Sequence, residues 1–180
     1  MSLFLFIPLV IVYPFVWLAI RIEDGKGINL PQKRIGEYGR EILINKFRTM
    51  TGNQDGKWVH EGDLKVTKVG SFLRKSRIDE LPQIVSVLKG ESSLIGPRAD
   101  LGGLSVKLIE SIPYYQVRYV VKPGLSGWAQ VTQEGLPPQG VDETKTRLSY
   151  DLFYIKNRSI WLDILIALKT IKTLSMRVGI

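Results

Sequence analysis

An uninterrupted apolar segment opens the chain, and polar positions become frequent only after it. Residues 3–20 carry no charge and contain Pro8 and Pro14. A membrane-spanning helix needs about 20 apolar residues, so the length of this segment is borderline. Proline inside an apolar helix predicts a kink, and a kinked helix can enter and leave a bilayer by one face. We therefore predict a re-entrant membrane helix over residues 1–22, with Pro14 favoured over Pro8 as the kink. A straight helix buried in a protein core is the alternative.

The remaining residues, 23–180, form short periodic segments that glycine and proline interrupt. This pattern predicts one small domain of mixed α/β class. Its predicted elements are a turn at 32–40, a strand at 41–50 with Lys46 and Arg48 on one face, a polar loop at 52–62, a short helix opening at 70–71, a helix at 104–112, a loop leading into a strand at 122–131, and a helix at 144–154.

A last amphipathic segment follows Ser159, a residue suited to cap a helix. Trp161, Leu165 and Leu168 recur behind it at helical spacing, and basic residues lie toward its end. Such a helix could lie in the lipid interface or pack against the core of the domain. The pattern leaves both interpretations open.

The charge of the chain narrows the class of partner. Lys and Arg number 25 against 17 acidic residues, which gives a formal net charge of +8. This excess favours a polyanionic partner: nucleic acid, an anionic membrane face or a phosphorylated substrate. No predicted helix carries a basic stripe interleaved with aromatic residues, which argues against nucleic acid. Basic residues after the apolar segment also predict that the domain lies on the cytoplasmic side of a membrane.

Several kinds of catalytic site are excluded by what the sequence lacks. The chain has no cysteine, which excludes thiol catalysis and a disulfide scaffold, and its single histidine, His60, falls in a polar stretch. It carries neither a GxxxxGK[ST] nor a GxGxxG motif, and no Asp-x-Asp pair. Catalysis would therefore depend on carboxylates.

Asp79 and Glu80 are the strongest candidates for such catalysis. They follow a run of cations at 74–77 and precede apolar residues at helical spacing, with Pro82 among them, so they lie at or just before a helix start. A helix start attracts phosphate through its unpaired N–H groups and the positive end of its dipole. The cations could then hold phosphate while one carboxylate attacks and the other binds a metal. Alternatively, the pair only complements the helix dipole.

Short motifs in a fixed order carry a family resemblance. After the apolar segment with its internal proline come KFRTM at 46–50, IDELPQ at 78–83, LKG at 88–90, IGPR at 95–98, VKPGLSGWAQV at 121–131 and YDLFYIKN at 150–157. Together, over nearly the whole chain, they resemble the bacterial sugar transferases, also called monotopic phosphoglycosyl transferases. The chain departs from that family's usual residues at Ala99, at Asp100 and at 27–31, which bear on donor and membrane contacts rather than on the chemistry.

This resemblance implies a reaction and an architecture. Family members move a phospho-sugar from a nucleotide sugar, usually a UDP-sugar, to polyprenyl (undecaprenyl) phosphate and release UMP, in the first membrane step of surface-glycan or exopolysaccharide synthesis. The implied fold is irregular α/β: a re-entrant membrane helix hairpin plus a small cytoplasmic domain with short strands and amphipathic interfacial helices. The implied location is the cytoplasmic face of the bacterial inner (cytoplasmic) membrane, against the lipid bilayer. No nucleic acid partner is implied, and interfacial helices leave room for a homodimer.

Individual residues acquire roles through the same resemblance. Asp79 is the implied nucleophile, which forms a covalent aspartyl phospho-sugar intermediate, and Glu80 is the implied ligand of Mg²⁺. Cations must neutralise the anionic donor before a carboxylate can reach it. The implied phosphate-binding cations are Lys46, Arg74 and Arg98. The candidate supporting residues are Arg48, Gln83 and Asp151, the last open between a helix cap and a salt bridge. A non-catalytic basic membrane-attached binding module, or a scaffold, is the alternative function.

Overall fold

Helices alternate with short two-stranded sheets in the computed structural model, which describes residues 2–25, 27–51, 65–133 and 140–175. The mixed α/β class is confirmed, whereas the predicted polar loop at 52–62, with His60, lies outside the described residues. The strands are β1 (Asn29–Ile35), β2 (Glu41–Phe47), β3 (Met50–Thr51), β4 (Lys65–Val66), β5 (Ser93–Ile95) and β6 (Gly124–Ser126). The helices are α1 (Ser2–Asp24), α2 (Lys68–Lys75), α3 (Ile84–Leu88), α4 (Gly102–Ser111), α5 (Trp128–Thr132), α6 (Val141–Asn157) and α7 (Ile160–Ser175), and short 3-10 helices span Glu37–Gly39, Ile78–Gln83 and Tyr115–Val120.

The β1–β2 hairpin supplies one wall of the site described below. Its strands pair antiparallel, with Leu30 opposite Lys46. The sequence placed the turn at 32–40, but strand pairing continues to residue 35, and the turn is made by left-handed backbone at Tyr38 (φ 56°) and Gly39 (φ 75°). The predicted strand at 41–50 also ends early, at Phe47, so Arg48 lies outside it.

The segment after α2 differs from its prediction as well. Thr67 caps α2 by accepting a hydrogen bond from the N–H of Gly70 (2.8 Å). A Cβ at Gly70 would overlap the Thr49 carbonyl oxygen, so α2 lies directly on the strand segment that follows β2. The acidic pair was expected at or just before the start of an α-helix; it lies on the 3-10 helix Ile78–Gln83, and α3 begins directly after that turn. Pro82 fixes one backbone angle and lacks an N–H, which a short 3-10 turn accommodates and an α-helix interior does not.

A parallel pair of strands, β5 and β6, holds the turn that follows β5. Gly96 faces Gly124 and Gly127 so closely that a Cβ on Gly124 or Gly127 would overlap backbone atoms of Gly96. This contact fixes the turn from which Arg98 projects. A loop leading into a strand was predicted at 122–131, and the second half of this prediction was wrong. The strand is limited to Gly124–Ser126, and helix α5 begins two residues later, at Trp128.

Helix α1 is assigned as one helix that contains both Pro8 and Pro14. One side of it is buried in a core cluster with Phe47 and Leu73, and the Tyr13 and Phe47 rings lie 5.5 Å apart. Large apolar side chains on its other side are exposed; they are Ile7, Val10, Ile11, Phe15, Trp17, Leu18 and Ile22. None of the helices within the described residues meets the length and hydropathy required to cross a membrane. The kink and the re-entrant hairpin remain predictions.

The predicted last helix is confirmed as α7. The Ser159 hydroxyl accepts a hydrogen bond from the N–H of Leu162 (3.2 Å), as expected of an N-cap. Ile166 is fully buried. Six large apolar side chains of the same helix stay exposed: Ile160, Trp161, Ile164, Leu165, Leu168 and Ile171. Helix α7 therefore packs on the domain along one side and leaves an apolar face uncovered.

Candidate active site

The acidic pair lines a polar cavity of about 260 Å³ between the β1–β2 hairpin, α2, α5 and α6. The five residues expected to carry chemistry or bind phosphate all line it: Lys46, Arg74, Asp79, Glu80 and Arg98. They come from β2, α2, the 3-10 helix and the turn after β5. Segments that are far apart in the sequence therefore bring these side chains to one place.

Glu80 is neutralised by two cations. Its Oε1 atom accepts hydrogen bonds from Lys46 Nζ at 2.6 Å and from Arg98 Nη2 at 3.0 Å. Burial by itself would raise the pKa of Glu80, but the charges of Arg98 and Lys46 outweigh burial and hold that pKa well below its usual range. The charge of Glu80 in turn raises the pKa of Arg98. Glu80 is therefore a fixed anion that orders the cations around it.

Asp79 has the opposite environment although it is the neighbouring residue. Its Oδ1 atom is buried without a hydrogen-bond partner among the described residues. Burial raises the pKa of the Asp79 carboxyl above its ordinary value, despite the opposing charge of Lys46. A desolvated carboxylate oxygen that no donor occupies is suited to attack an electrophile. Adjacent carboxylates in unlike environments are a usual sign of divided roles at a catalytic site.

Four arginines of the same cavity form no salt bridge with a described carboxylate, but Arg34 is held by the Ala99 carbonyl oxygen (2.9 Å) and by Gln32 Oε1 (2.7 Å), which leaves three. They are Arg74, Arg77 and Arg147. Among the described residues, Arg74 donates only a weak contact to the Met50 sulfur, at 3.6 Å. Burial, with the nearby charge of Arg98, lowers the pKa of Arg147 to about 10, so this group stays charged at neutral pH. Because Lys46 and Arg98 are already engaged by Glu80, these three are the cations best able to receive a ligand anion.

Sequence reasoning missed Arg147 and the glutamines Gln130 and Gln133, which also line the cavity. Arg77 lines it too, and it belongs to the run of cations at 74–77 that was expected to hold phosphate. The Gln130 Oε1 atom is buried without a described hydrogen-bond partner, so it could accept from a ligand hydroxyl. One signal could have found Arg147: it lies four residues before Asp151 on α6, and residues at this spacing share a helix face.

Asp151 does not line the cavity and instead forms a salt bridge, which was one of the two roles expected for it. Its Oδ2 lies 2.8 Å from Arg118 Nη2, and both side chains are buried. Arg118 also donates to both carboxylate oxygens of Asp100, at 2.6 and 2.7 Å, and to the Arg98 carbonyl oxygen at 2.9 Å. The hydroxyls of Tyr115 and Tyr119 donate to Asp100 as well. This buried network therefore holds the backbone of Arg98.

The other two supporting candidates stay outside the cavity lining. Gln83 is buried and lines a small neighbouring space of about 10 Å³, together with Lys46 and Arg98. Arg48 lies just past β2, and within the described part of the chain it does not contribute to the lining.

The donor set at the pair suits a magnesium ion shared with a ligand. The described residues contain no group of three or more His, Cys, Asp or Glu side chains able to hold a metal alone. Mg²⁺ is commonly held by one or two carboxylates and completes its octahedron with substrate phosphate and water. Glu80, the residue expected to bind Mg²⁺, contributes one such carboxylate to the cavity lining.

Comparison with known proteins gives a consistent family. The family described as bacterial sugar transferase matches residues 1–177. A UDP-N-acetylgalactosamine-undecaprenyl-phosphate N-acetylgalactosaminephosphotransferase of Aeromonas hydrophila is 43% identical over 158 residues, which make up 86% of this chain and 37% of that protein. A UDP-glucose:undecaprenyl-phosphate glucose-1-phosphate transferase of Caulobacter vibrioides is 38% identical over 94% of this chain and 64% of its own length. A sugar transferase of Bacillus subtilis, EpsL, is 32% identical over 99% of this chain and 85% of its own length. The chain thus spans little more than a third of the Aeromonas protein.

Proposed function

Because this chain belongs to the bacterial sugar transferase family, we propose that it transfers a sugar-1-phosphate from a UDP-sugar to polyprenyl phosphate and releases UMP. The observation that carries the proposal is the contrast within the acidic pair. Asp79 offers a buried, unpartnered oxygen, while Glu80 is held by Lys46 and Arg98 in the same cation-lined cavity. A binding module would have no use for an unpaired carboxylate among cations, because a carboxylate repels the anion that those cations attract.

The reaction proceeds in two displacement steps. In the first, an Asp79 oxygen attacks the phosphorus that bears the sugar, the bond from that phosphorus to the bridging oxygen breaks, and UMP leaves with that oxygen. In the second, a phosphate oxygen of the acceptor attacks the same phosphorus, and the aspartyl oxygen–phosphorus bond breaks. Asp79 regains its carboxylate, and the product is a polyprenyl-diphospho-sugar. Arg74 and Arg147 bind the donor diphosphate, because both line the cavity without a carboxylate partner.

Mg²⁺, when bound beside Glu80, supplies further neutralisation of the donor diphosphate. The chain's own cations supply the remainder. Glu80 orders Lys46 and Arg98 before the donor arrives, so little reorganisation is needed at the moment of reaction.

A membrane location follows from the proposed lipid acceptor and agrees with the exposed apolar side chains of α1 and α7. A polyprenyl phosphate stays in the bilayer, so the cavity must be reached from a bilayer surface. The uncovered apolar faces of α1 and α7 are suited to insertion among lipid chains, as amphipathic interfacial helices insert. We include in this proposal the re-entrant hairpin of residues 1–22, with its kink at Pro14 or Pro8, and placement on the cytoplasmic face of the inner membrane.

UMP release tests the proposed function directly. The full chain, in detergent or in vesicles with polyprenyl phosphate and Mg²⁺, is expected to release UMP from at least one member of a panel of UDP-sugars and to form a matching polyprenyl-diphospho-sugar. Addition of EDTA should suppress this release. Failure of every UDP-sugar, under conditions in which the Aeromonas relative is active, would contradict the proposal.

The pH dependence of kcat/KM for the donor should be bell-shaped. Burial raises the pKa of the Asp79 carboxyl, so the nucleophile is lost as pH falls, at a pH above the ordinary carboxyl range. Burial, with the charge of Arg98, lowers the pKa of Lys46 to about 8, so this cation is lost as pH rises through that value. The Lys46→Arg variant should shift the alkaline limb upward, because arginine does not deprotonate in that range. An active Lys46→Arg enzyme with an unchanged alkaline limb would exclude Lys46 as its cause.

A further inference from the structure

An apolar chamber of about 180 Å³ adjoins the polar cavity. Arg77, Glu80 and Gln130 line both spaces, so the two meet at the segment that carries the acidic pair. Arg74 and Arg147 line the polar cavity but not the chamber, whose wall is largely aliphatic. Compartments of opposite character therefore share one boundary.

The chamber presents hydrocarbon even where its residues are polar by name. Its aliphatic wall is formed by Leu81, Leu125 and Val131. On the side of α7, the Thr170 hydroxyl is engaged by the Ile166 carbonyl at 2.7 Å and by the Ser126 hydroxyl at 2.6 Å. The Thr173 hydroxyl donates to the Lys169 carbonyl at 3.0 Å. Since these hydroxyls are satisfied within the protein, their methyl groups remain to contact a ligand.

Arg77 is the charged residue at the boundary of the two compartments that is open to an anion. Its backbone lies in the left-handed region (φ 57°, ψ 14°), directly before the 3-10 helix of the acidic pair. A non-glycine residue in this conformation costs on the order of 1 kcal/mol, and such positions cluster at functional sites. Among the described residues Arg77 forms no salt bridge, although its charge acts to lower the pKa values of the neighbouring Asp79 and Glu80 carboxyls. The other polar boundary residues differ: Glu80 is already neutralised, and Gln130 is uncharged.

We infer that the apolar chamber binds the head-proximal isoprenoid units of the acceptor and that Arg77 binds the acceptor phosphate. A phosphate monoester with a branched hydrocarbon tail complements a guanidinium group beside an aliphatic chamber. This inference rests on the proposed function and names the acceptor's part of the same site. The donor diphosphate and the acceptor phosphate then bind to different arginines. Asp79 takes the phospho-sugar from the donor in the first step and gives it to the acceptor in the second.

Helix α7 links this chamber to the apolar surface. Thr170 and Thr173 contribute to the chamber, while Leu168 and Ile171 of the same helix are each 60% exposed. One helix therefore contacts the chamber on one side and presents an uncovered apolar face on another. An acceptor whose tail lies in lipid against α7 would then place its head group at Arg77.

Steady-state kinetics of the full chain with polyprenyl phosphate test this assignment. Arg77→Asn removes the cation but suits left-handed backbone, which asparagine tolerates. It should raise KM for polyprenyl phosphate by about tenfold or more, as expected for a lost charged hydrogen bond. Thr173→Phe should raise the same KM by filling the chamber. In both variants KM for the UDP-sugar should hold, and labelled UMP should still exchange into UDP-sugar without acceptor.

Matched controls separate these effects from general damage. Thr146→Phe alters an exposed threonine of α6 whose hydroxyl likewise bonds the carbonyl four residues earlier, at 3.3 Å, and Arg40→Asn removes an exposed cation. Both should keep the acceptor KM of the unmodified chain. A rise in donor KM with Arg77→Asn would assign Arg77 to the donor and overturn the inference, as would an unchanged acceptor KM in Thr173→Phe. An unmodified chain that releases no UMP would instead overturn the proposed function itself.

Discussion

Replacing Asp79 with Asn is expected to abolish transfer while leaving the fold intact. The amide cannot form the covalent bond to phosphorus, so turnover should fall on the order of 10⁴-fold or more, as when other enzymes lose a nucleophile. Stability should not fall, because the Asp79 carboxylate is desolvated and its Oδ1 has no described hydrogen-bond partner. Removing a poorly solvated charge relieves a cost rather than breaking a contact. We therefore expect lost activity together with an unchanged or raised unfolding temperature.

The measurement is UMP release together with mass spectrometry of enzyme treated with donor alone. The unmodified chain should carry a phospho-sugar on the peptide that contains Asp79, and Asp79→Asn should carry none. Asp142→Asn is the matched control, since the Asp142 side chain is 93% exposed and its one ion pair within the described residues is with Lys145. Near-native turnover in Asp79→Asn, or an adduct on a different residue, would contradict the nucleophile assignment.

Of the substitutions proposed for this chain, Arg118→Leu should lower the free energy of unfolding the most. Arg118 pairs with two carboxylates, Asp100 and Asp151, and its own side chain is only 3% exposed. Removal of one partner from a buried ion pair leaves an uncompensated charge and costs about 3–5 kcal/mol. For a chain of this size that loss lowers the unfolding temperature by roughly 10 °C. Activity should fall as well, because the Arg98 carbonyl loses the donor that holds it.

Thermal unfolding in detergent at fixed pH measures this effect. Arg40→Leu is a suitable control, because Arg40 is exposed at the end of the β1–β2 turn. Arg118→Leu should unfold well below both the unmodified chain and the control. Coincident unfolding curves would show that the buried network does not hold the fold together.

Periodicity predicted the long elements well and the short ones poorly. Helices α4, α6 and α7 were found because apolar residues recur over several turns and because Pro113 and Ser159 mark an end and a start. The segment at 78–88 was predicted as the start of one α-helix, because a few apolar positions fit a 3-10 turn and an α-helix equally. The strand at 124–126 has too few residues for alternation to be visible. It exists because its glycines permit close contact with β5, which no local pattern reveals.

The candidate site was predicted only where motifs reported it. The resemblance supplied Asp79, Glu80 and three cations expected to bind phosphate, and these residues do line one cavity. It did not supply Arg118, whose role depends on carboxylates 18 and 33 residues away in the chain. The resemblance also could not show that Glu80 binds Lys46 and Arg98. Because these two cations are engaged, other arginines of the cavity are the ones available to bind a ligand anion. Such assignments need the distances between side chains.

The position of Arg98 depends on three glycines, Gly96, Gly124 and Gly127, which pack closely because none of them has a Cβ atom. Gly124 and Gly127 meet Gly96 backbone to backbone, with no side chain between them that could adjust. A flexible contact can absorb a small change by rotating a side chain, but this one would have to move the main chain. The position of the Arg98 guanidinium is therefore set by contacts between main-chain atoms. Substitutions meant to change the proposed active site are therefore better placed on α5 and α6 around the cavity than at Gly96, Gly124 or Gly127.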